Sequence, residues 1–205
     1  MLTLYTNPQS RGRIARWALE ETGQPYETKI INYGAEMKGP AYLAINPMGK
    51  VPALDHDGHV VTEGGAIIAY LADAFPEVQL APPPASPRRA PYYRWLFFAA
   101  GPWEAALTNK ALKVEVPPER HAMVGYGTLD LVLATVEGAL APGPYLLGDT
   151  FTAADIYLGA QVMFAMRFKQ IEPRPIFTDY VQRITARPAF IRAAAADDAL
   201  IPPPP

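Results

Sequence analysis

The sequence predicts an α/β sheet domain followed by an all-α bundle, and three observations carry that expectation. Short strand-like runs alternate with helical ones over the first 75 residues. Six prolines then crowd into residues 76–91. Beyond them the strand pattern disappears and helical periodicity takes over.

Residues 2–6 read as a strand stopped by Asn7-Pro8. Ser10 opens an amphipathic helix marked by Ile14, Trp17, Ala18 and Glu21, and Gly23 and Pro25 close it. A second strand is expected at 26–32 and a weak helix at 35–44. Residues 51–54 and Val60-Val61 are short strands joined by Asp55-His56-Asp57-Gly58, whose Asp-Gly pair suits a hairpin turn. A helix over 63–75, with Ala66, Ile67, Tyr70, Leu71 and Ala74 on one side, stops at Pro76. The order βαβ, helix, ββα implies a right-handed crossover and a small mixed sheet.

Pro82-Pro83-Pro84 can neither donate to a strand ladder nor continue a helix, so 76–87 is expected to be a semi-rigid polyproline II connection. Helical patterns then cover 88–108, 118–140, 152–168 and 176–196, with breaks at Pro142-Gly143-Pro144 and Gly148. Pro202 to Pro205 read as an extended tail. The expected domains are 1–79 and 88–205, separated by a proline-rich linker at 80–87.

Composition narrows the function classes. Half of the 205 residues are hydrophobic, and 18 basic residues against 20 acidic ones provide no strongly basic field for nucleic acid. No apolar run approaches the ~18 residues of a membrane span, and the N-terminus lacks the basic start and long apolar centre of a signal peptide. A cytoplasmic protein without nucleic-acid or membrane partners is the expectation. There is no cysteine, which excludes disulfides, thiolate metal sites and a cysteine nucleophile. Any sulfur chemistry must arrive with a ligand.

The most informative stretch is Asn46-Pro47-Met48-Gly49-Lys50-Val51-Pro52-Ala53-Leu54. A proline just inside a strand forfeits a ladder hydrogen bond. Either Val51–Pro52 is cis and turns the Val51 backbone outward, where an extended peptide ligand could pair with it, or an edge strand simply begins on trans proline. Thr152-x-x-Asp155 reads as a capping box, in which each residue satisfies a backbone amide near the other, with Phe151 stapling onto Ile156.

The strand with its Ser-led helix, the Asn-Pro-x-Gly-Lys-Val-Pro-Ala-Leu stretch and Thr62-Glu63-Gly64-Gly65-Ala66-Ile67 together resemble the thioredoxin-fold half of the cytosolic glutathione S-transferases. Gly148-Asp149-Thr150-Phe151-Thr152-Ala153-Ala154-Asp155-Ile156 resembles that family's N-capping box. The resemblance covers the whole chain, linker included, and is nearest to bacterial members. It implies a thioredoxin-like glutathione-binding domain ahead of the helical one, with glutathione as co-substrate and no separate cofactor. It also implies that Pro52 is cis, that the Val51 backbone pairs with the cysteinyl segment, and that Glu63 and Gly64 bind the γ-glutamyl end. Lys50 stands where some classes reach the ligand with Gln or Lys. Gly64 departs from the serine usual in the family, so one hydroxyl contact is missing.

The thiolate, not the thiol, is the nucleophile. Near the first strand, Tyr5, Thr6, Asn7 and Ser10 are available to hold it. Ser10 matches the activating position of the serine classes, although a serine there also serves as an ordinary helix cap. Tyr5 ends the strand like the catalytic residue of the tyrosine classes, although a tyrosine there also simply packs its ring. Arg11, Arg13 and Arg16 read as a solvated helix face. The acceptor, a small hydrophobic electrophile, is expected near Tyr92, Trp95, Leu96, Phe98 or Trp103. His56 and His59 with Asp55 and Asp57 read as a polar turn, so no metal is expected. A homodimer is implied by the resemblance. The alternatives are a glutathione-dependent isomerase, peroxidase or dehalogenase, or a non-catalytic binding module on the same scaffold.

Overall fold

The computed structural model describes residues 1–201; the expected tail at Pro202 to Pro205 lies outside the described residues. Contacts divide the chain into two compact units, Met1–Val78 together with the segment from Ala186 onward, and Gln79–Thr185.

The first unit is built on a four-stranded sheet in the order β2-β1-β3-β4. β1 (Leu2–Thr6) is wholly buried, as a central strand rich in Leu and Thr should be. It runs parallel to β2 (Tyr26–Ile30) and antiparallel to β3 (Ala53–His56), which pairs antiparallel with β4 (His59–Thr62). α1 (Gly12–Thr22) buries Ile14, Trp17 and Ala18 and ends at Gly23, whose φ of 67° is the left-handed cap that glycine adopts cheaply. Asp57 and Gly58 turn the hairpin with φ of 52° and 84°, and Asp55 Oδ1 accepts the Gly58 N–H at 2.8 Å. The expected βαβ, helix, ββα order is observed, in the thioredoxin-like arrangement.

Prolines account for most boundary differences here. The expected helix over 35–44 contracts to α2 (Pro40–Leu43), because Pro40 fits only a first helical turn. β3 starts after Pro52 rather than at Val51, since proline has no N–H to give the ladder. α3 (Gly64–Ala74) buries Ile67, Ile68, Leu71 and Ala72. Ala66, expected on that side, is exposed, while Tyr70 and Ala74 are only half-buried. The Tyr70 hydroxyl instead meets His56 Nδ1 at 2.7 Å.

The helical unit holds α4 (Arg89–Phe98), a π-turn at Ala99–Trp103 containing Pro102, α5 (Glu104–Ala111), α6 (Leu129–Leu140), α7 (Ala153–Arg167) and α8 (Pro175–Thr185). The expected continuous helix over 88–108 is therefore interrupted at Gly101-Pro102, where a missing N–H widens the turn. The pattern over 118–140 splits into a short 3₁₀ segment (Pro118–Met123) and α6, with Gly127 in the left-handed region between them. The connection is docked, not an extended spacer. Pro76–Val78 forms a 3₁₀ turn, Ser86 N–H closes a turn on the Pro83 carbonyl at 2.8 Å, and buried Leu80 accepts the Ala153 N–H at 2.7 Å. Tyr92, Trp95, Leu96 and Trp103 are buried, and Trp95 meets Phe98 edge-on at 5.3 Å.

At the head of α7 the Thr152–Asp155 capping box forms. Asp155 Oδ2 accepts the Thr152 N–H at 2.9 Å and the Thr152 hydroxyl at 3.1 Å, while Oδ1 accepts Leu146 N–H at 2.9 Å and Tyr180 O–H at 3.0 Å. Burial pushes the Asp155 carboxyl up to about 6, against the opposing pull of these donors. Phe151 packs edge-on against Tyr145 at 5.5 Å.

The last helix departs from the expectation drawn from chain order. The pattern over 176–196 breaks ahead of Pro188, where Arg187 turns extended (ψ 136°), as a residue before proline tends to. α9 (Pro188–Asp198) then packs on α1 of the first unit. Trp17 and Phe190 meet edge-on at 5.1 Å. Arg187 makes a two-pronged pair with Glu21 at 2.6 and 2.8 Å, Arg192 pairs with Glu20 at 2.9 Å, and Arg13 with Asp198 at 2.7 Å. Arg16, expected on a solvated face, is buried: its Nε donates to Asp197 at 2.8 Å and its Nη1 to the Tyr26 and Thr28 hydroxyls.

Candidate active site

Strand register brings the distant motif residues together. Tyr5 stands opposite Ala53, and Ala53 opposite Thr62, across three neighbouring strands. One step beyond that row lie Thr6, Pro52 and Glu63, so the end of β1, the start of β3 and the end of β4 share one edge of the sheet. Asn7 to Ser10, Lys50-Val51 and Gly64 continue from it. The topology thus gathers the residues singled out from three separate stretches of sequence.

Val51–Pro52 is cis. The Val51 side chain packs on a small cluster of Tyr5, Ile31, Met37, Tyr42 and Ala53. Its backbone N–H and C=O meet no hydrogen-bond partner among the described residues. That is an unpaired strand edge of the kind an extended peptide can extend.

The loop ahead of Val51 is held from several sides. The Lys50 carbonyl accepts the Tyr42 hydroxyl at 2.7 Å and Asn46 Nδ2 at 2.8 Å, while Asn46 Oδ1 accepts Met48 N–H at 3.0 Å. Lys38 Nζ donates to the Met48 and Gly49 carbonyls at 3.0 and 2.8 Å. Gly49 has φ 55°, and a Cβ there would sit 2.9 Å from both Lys38 Nζ and the Met37 carbonyl. Burial pushes the Tyr42 hydroxyl up to about 12, so it remains a donor. Tyr42 and Lys38 escape motif reading because each acts through a backbone carbonyl 8 to 11 residues away. The Lys50 side chain is exposed.

Glu63 immediately precedes α3 with φ 66° and ψ 122°, a conformation L residues rarely take. Its carbonyl accepts Ile67 N–H at 2.9 Å, and its side chain is exposed. No side chain caps α3, leaving the amides of Gly64 and Gly65 at a positive helix end. A carboxylate beside helix-end amides offers an acceptor for an ammonium group and donors for a carboxylate.

Ser10 is half-buried just ahead of α1. Its Oγ donates to the Asn7 carbonyl at 2.7 Å and accepts Gly12 N–H at 2.9 Å. Asn7 Nδ2 anchors the turn to the Ile31 carbonyl at 3.0 Å. Tyr5 is 8 % exposed, its ring 6.2 Å from that of Tyr42 with Lys29 Nζ at 5.3 Å. Successive strand residues point to opposite faces. Tyr5 accordingly joins the Met37–Tyr42 cluster, whereas Thr6 faces Gly12. Among the described residues, no three His, Asp or Glu side chains gather in a metal-holding group.

Residues 1–73 match the model of the glutathione S-transferase N-terminal domain, and residues 124–183 that of the C-terminal domain. The chain is 30 % identical over 200 residues to glutathione S-transferase GstA of Escherichia coli O157:H7, covering 96 % of this chain and 98 % of that one. It is 31 % identical over 212 residues to the maleylacetoacetate isomerase of Pseudomonas aeruginosa, covering 96 % and 97 %. The crystal structure of a glutathione transferase homologue from Sulfitobacter with bound glutathione superposes with a TM-score of 0.76 at 30 % identity, covering 98 % and 99 %. No helix among the described residues is long and apolar enough to cross a membrane.

Proposed function

The chain belongs to the glutathione S-transferase family, and from that premise we propose that it binds glutathione along Val51 and activates the thiol through Ser10 for attack on a small hydrophobic electrophile. The observation that carries this reading is the shared end of the sheet, where the Val51 backbone, Glu63 with the Gly64 amide, and the half-buried Ser10 hydroxyl converge. The Sulfitobacter homologue, which binds glutathione, supports the ligand.

In this mechanism the Val51 amide and carbonyl pair with the cysteinyl backbone. Glu63 takes the γ-glutamyl ammonium, the Gly64 amide takes its carboxylate, and Lys50 supplies a nearby positive charge. Gly64 lacks the usual serine hydroxyl, a loss of ~0.5–1.5 kcal/mol that weakens glutathione binding several-fold without abolishing it. Ser10 Oγ–H turns from the Asn7 carbonyl to the sulfur as the thiol proton leaves to solvent. The thiolate pair then forms the S–C bond to the electrophile, and the leaving group, chloride for an activated chloroarene, departs to solvent with its own bonding pair. The enzyme thus works by positioning and thiolate stabilisation, without a covalent enzyme intermediate. Burial of Tyr5 in a ring cluster supports Ser10 over Tyr5 for this role.

The relative from Pseudomonas aeruginosa favours one second reading, glutathione-dependent isomerisation of maleylacetoacetate. Homodimerisation and a cytoplasmic location belong to the same proposal and rest on the family. The decisive test combines glutathione binding with turnover of an activated chloroarene and of maleylacetoacetate, in wild type, Ser10→Ala and Tyr5→Phe. Ser10→Ala should bind glutathione nearly normally and turn over slowly, with Tyr5→Phe little changed. The reverse pattern moves the role to Tyr5. Absence of binding by wild type at millimolar glutathione sinks the reading, and activity on maleylacetoacetate alone selects the isomerase.

A further inference from the structure

Thr6 ends β1 wholly buried, and its Oγ1 finds no hydrogen-bond partner among the described residues. An unpaired buried hydroxyl is a standing penalty, and valine would fill the same space without it. The surroundings nevertheless make room for it. A Cβ on Gly12 would lie 1.9 Å from Thr6 Oγ1 and 3.0 Å from Ser10 Oγ, so both hydroxyls flank the same bare glycine. Ser10 Oγ gives its one proton to the Asn7 carbonyl and, among the described residues, accepts the Gly12 N–H, which leaves it a second lone pair. The Asn7 carbonyl also accepts Ser10 N–H at 3.0 Å, so it stays satisfied when Oγ–H turns away.

We propose that Thr6 is a positioning residue for the thiolate-holding hydroxyl, donating its own O–H to Ser10 Oγ once Ser10 turns toward bound glutathione. This rests on the role given to Ser10 above. In that state Ser10 Oγ accepts from Gly12 N–H and Thr6 O–H while donating to sulfur, and each bond polarises the next. The buried Thr6 hydroxyl, which has no partner among the described residues, gains one in that state.

The test compares wild type, Thr6→Val, Thr6→Ser and Ser10→Ala. It measures thermal unfolding, kcat, KM for glutathione, and the pH dependence of bound-thiolate ultraviolet absorbance. Thr6→Val should melt at or above wild type with KM unchanged. Its kcat should fall about threefold and the ionisation of bound glutathione should move up by about half a pH unit. Thr6→Ser should restore both. If Thr6→Val matches wild type while Ser10→Ala is impaired, Thr6 has no such role and the Ser10 reading survives. If Ser10→Ala also ionises and turns over like wild type, the Ser10 reading fails and this one falls with it. Equal losses in Thr6→Val and Thr6→Ser, with lowered melting in both, make Thr6 a packing residue and overturn the proposal.

Discussion

Asp197 and Asp198 are neighbours on α9, and each takes an arginine of α1, yet burial should make their removal very different. The Asp197 side chain is fully buried and that of Arg16 is 4 % exposed, whereas Asp198 is 64 % exposed. Asp197→Ala leaves the Arg16 guanidinium buried with, among the described residues, only the Tyr26 and Thr28 hydroxyls as acceptors, at 3.2 and 3.1 Å. Breaking a buried pair from one side costs about 3–5 kcal/mol, against about 0–1 kcal/mol for an exposed pair. At about 2–4 °C per kcal/mol for a chain of this length, Asp197→Ala should lower Tm by ~6–20 °C. Asp198→Ala should lower it by less than ~4 °C. Urea and thermal unfolding at neutral pH measure both. Arg16→Met combined with Asp197→Leu should recover most of the loss, because an apolar pair carries no desolvation penalty. Equal losses in the two alanine variants, or a double variant no better than Asp197→Ala, would refute the reasoning.

Three further outcomes are expected. Because the Asp155 carboxyl is raised from 3.8 to about 6 in the folded state, that state holds more protons between those values. Its contribution to stability is complete below pH ~4 and is lost as pH rises through ~6, on the order of 3 kcal/mol in all. Denaturant unfolding from pH 4 to 8 should show this slope in wild type and not in Asp155→Asn; parallel curves contradict it. Glu63→Gly removes a side chain from a left-handed backbone position and should be neutral or stabilising by up to about 1 kcal/mol. Glutathione affinity should fall at the same time, and unchanged affinity by calorimetry would take Glu63 out of the site. Tyr42→Phe leaves the Lys50 carbonyl with Asn46 alone and should cost about 1 kcal/mol. It should also weaken glutathione binding a few-fold, and unaltered binding would show that this anchor does not position Val51.

Much of the fold could be read locally, because local chemistry determines it. Gly23 and the Asp57-Gly58 turn mark their own positions, since few residues tolerate positive φ. Pro52 announced an unusual strand start for the same kind of reason. Pro40 and Pro188 carried equally plain signals, but each sits inside a run whose apolar spacing looks helical on both sides, and periodicity obscured the break. What sequence could not reveal depends on partners far along the chain. Arg16 looks like a solvated arginine until Asp197, 181 residues later, arrives to bury it. The placement of α9 against α1 was hidden likewise, because chain order says nothing about which surface an amphipathic helix will cover. In the site, the motif residues were visible by type and spacing. Their convergence needed the strand register, and the anchoring by Tyr42 and Lys38 needed the folded loop.

The most direct test of the central claim is the ionisation of glutathione bound to wild type and to Ser10→Ala, followed by thiolate absorbance against pH. Wild type should hold bound glutathione as thiolate well below the ordinary thiol value of ~8.5, and Ser10→Ala should return it toward that value without losing the ligand. Bound glutathione that titrates like the free thiol in wild type, or identically in both proteins, would contradict the account.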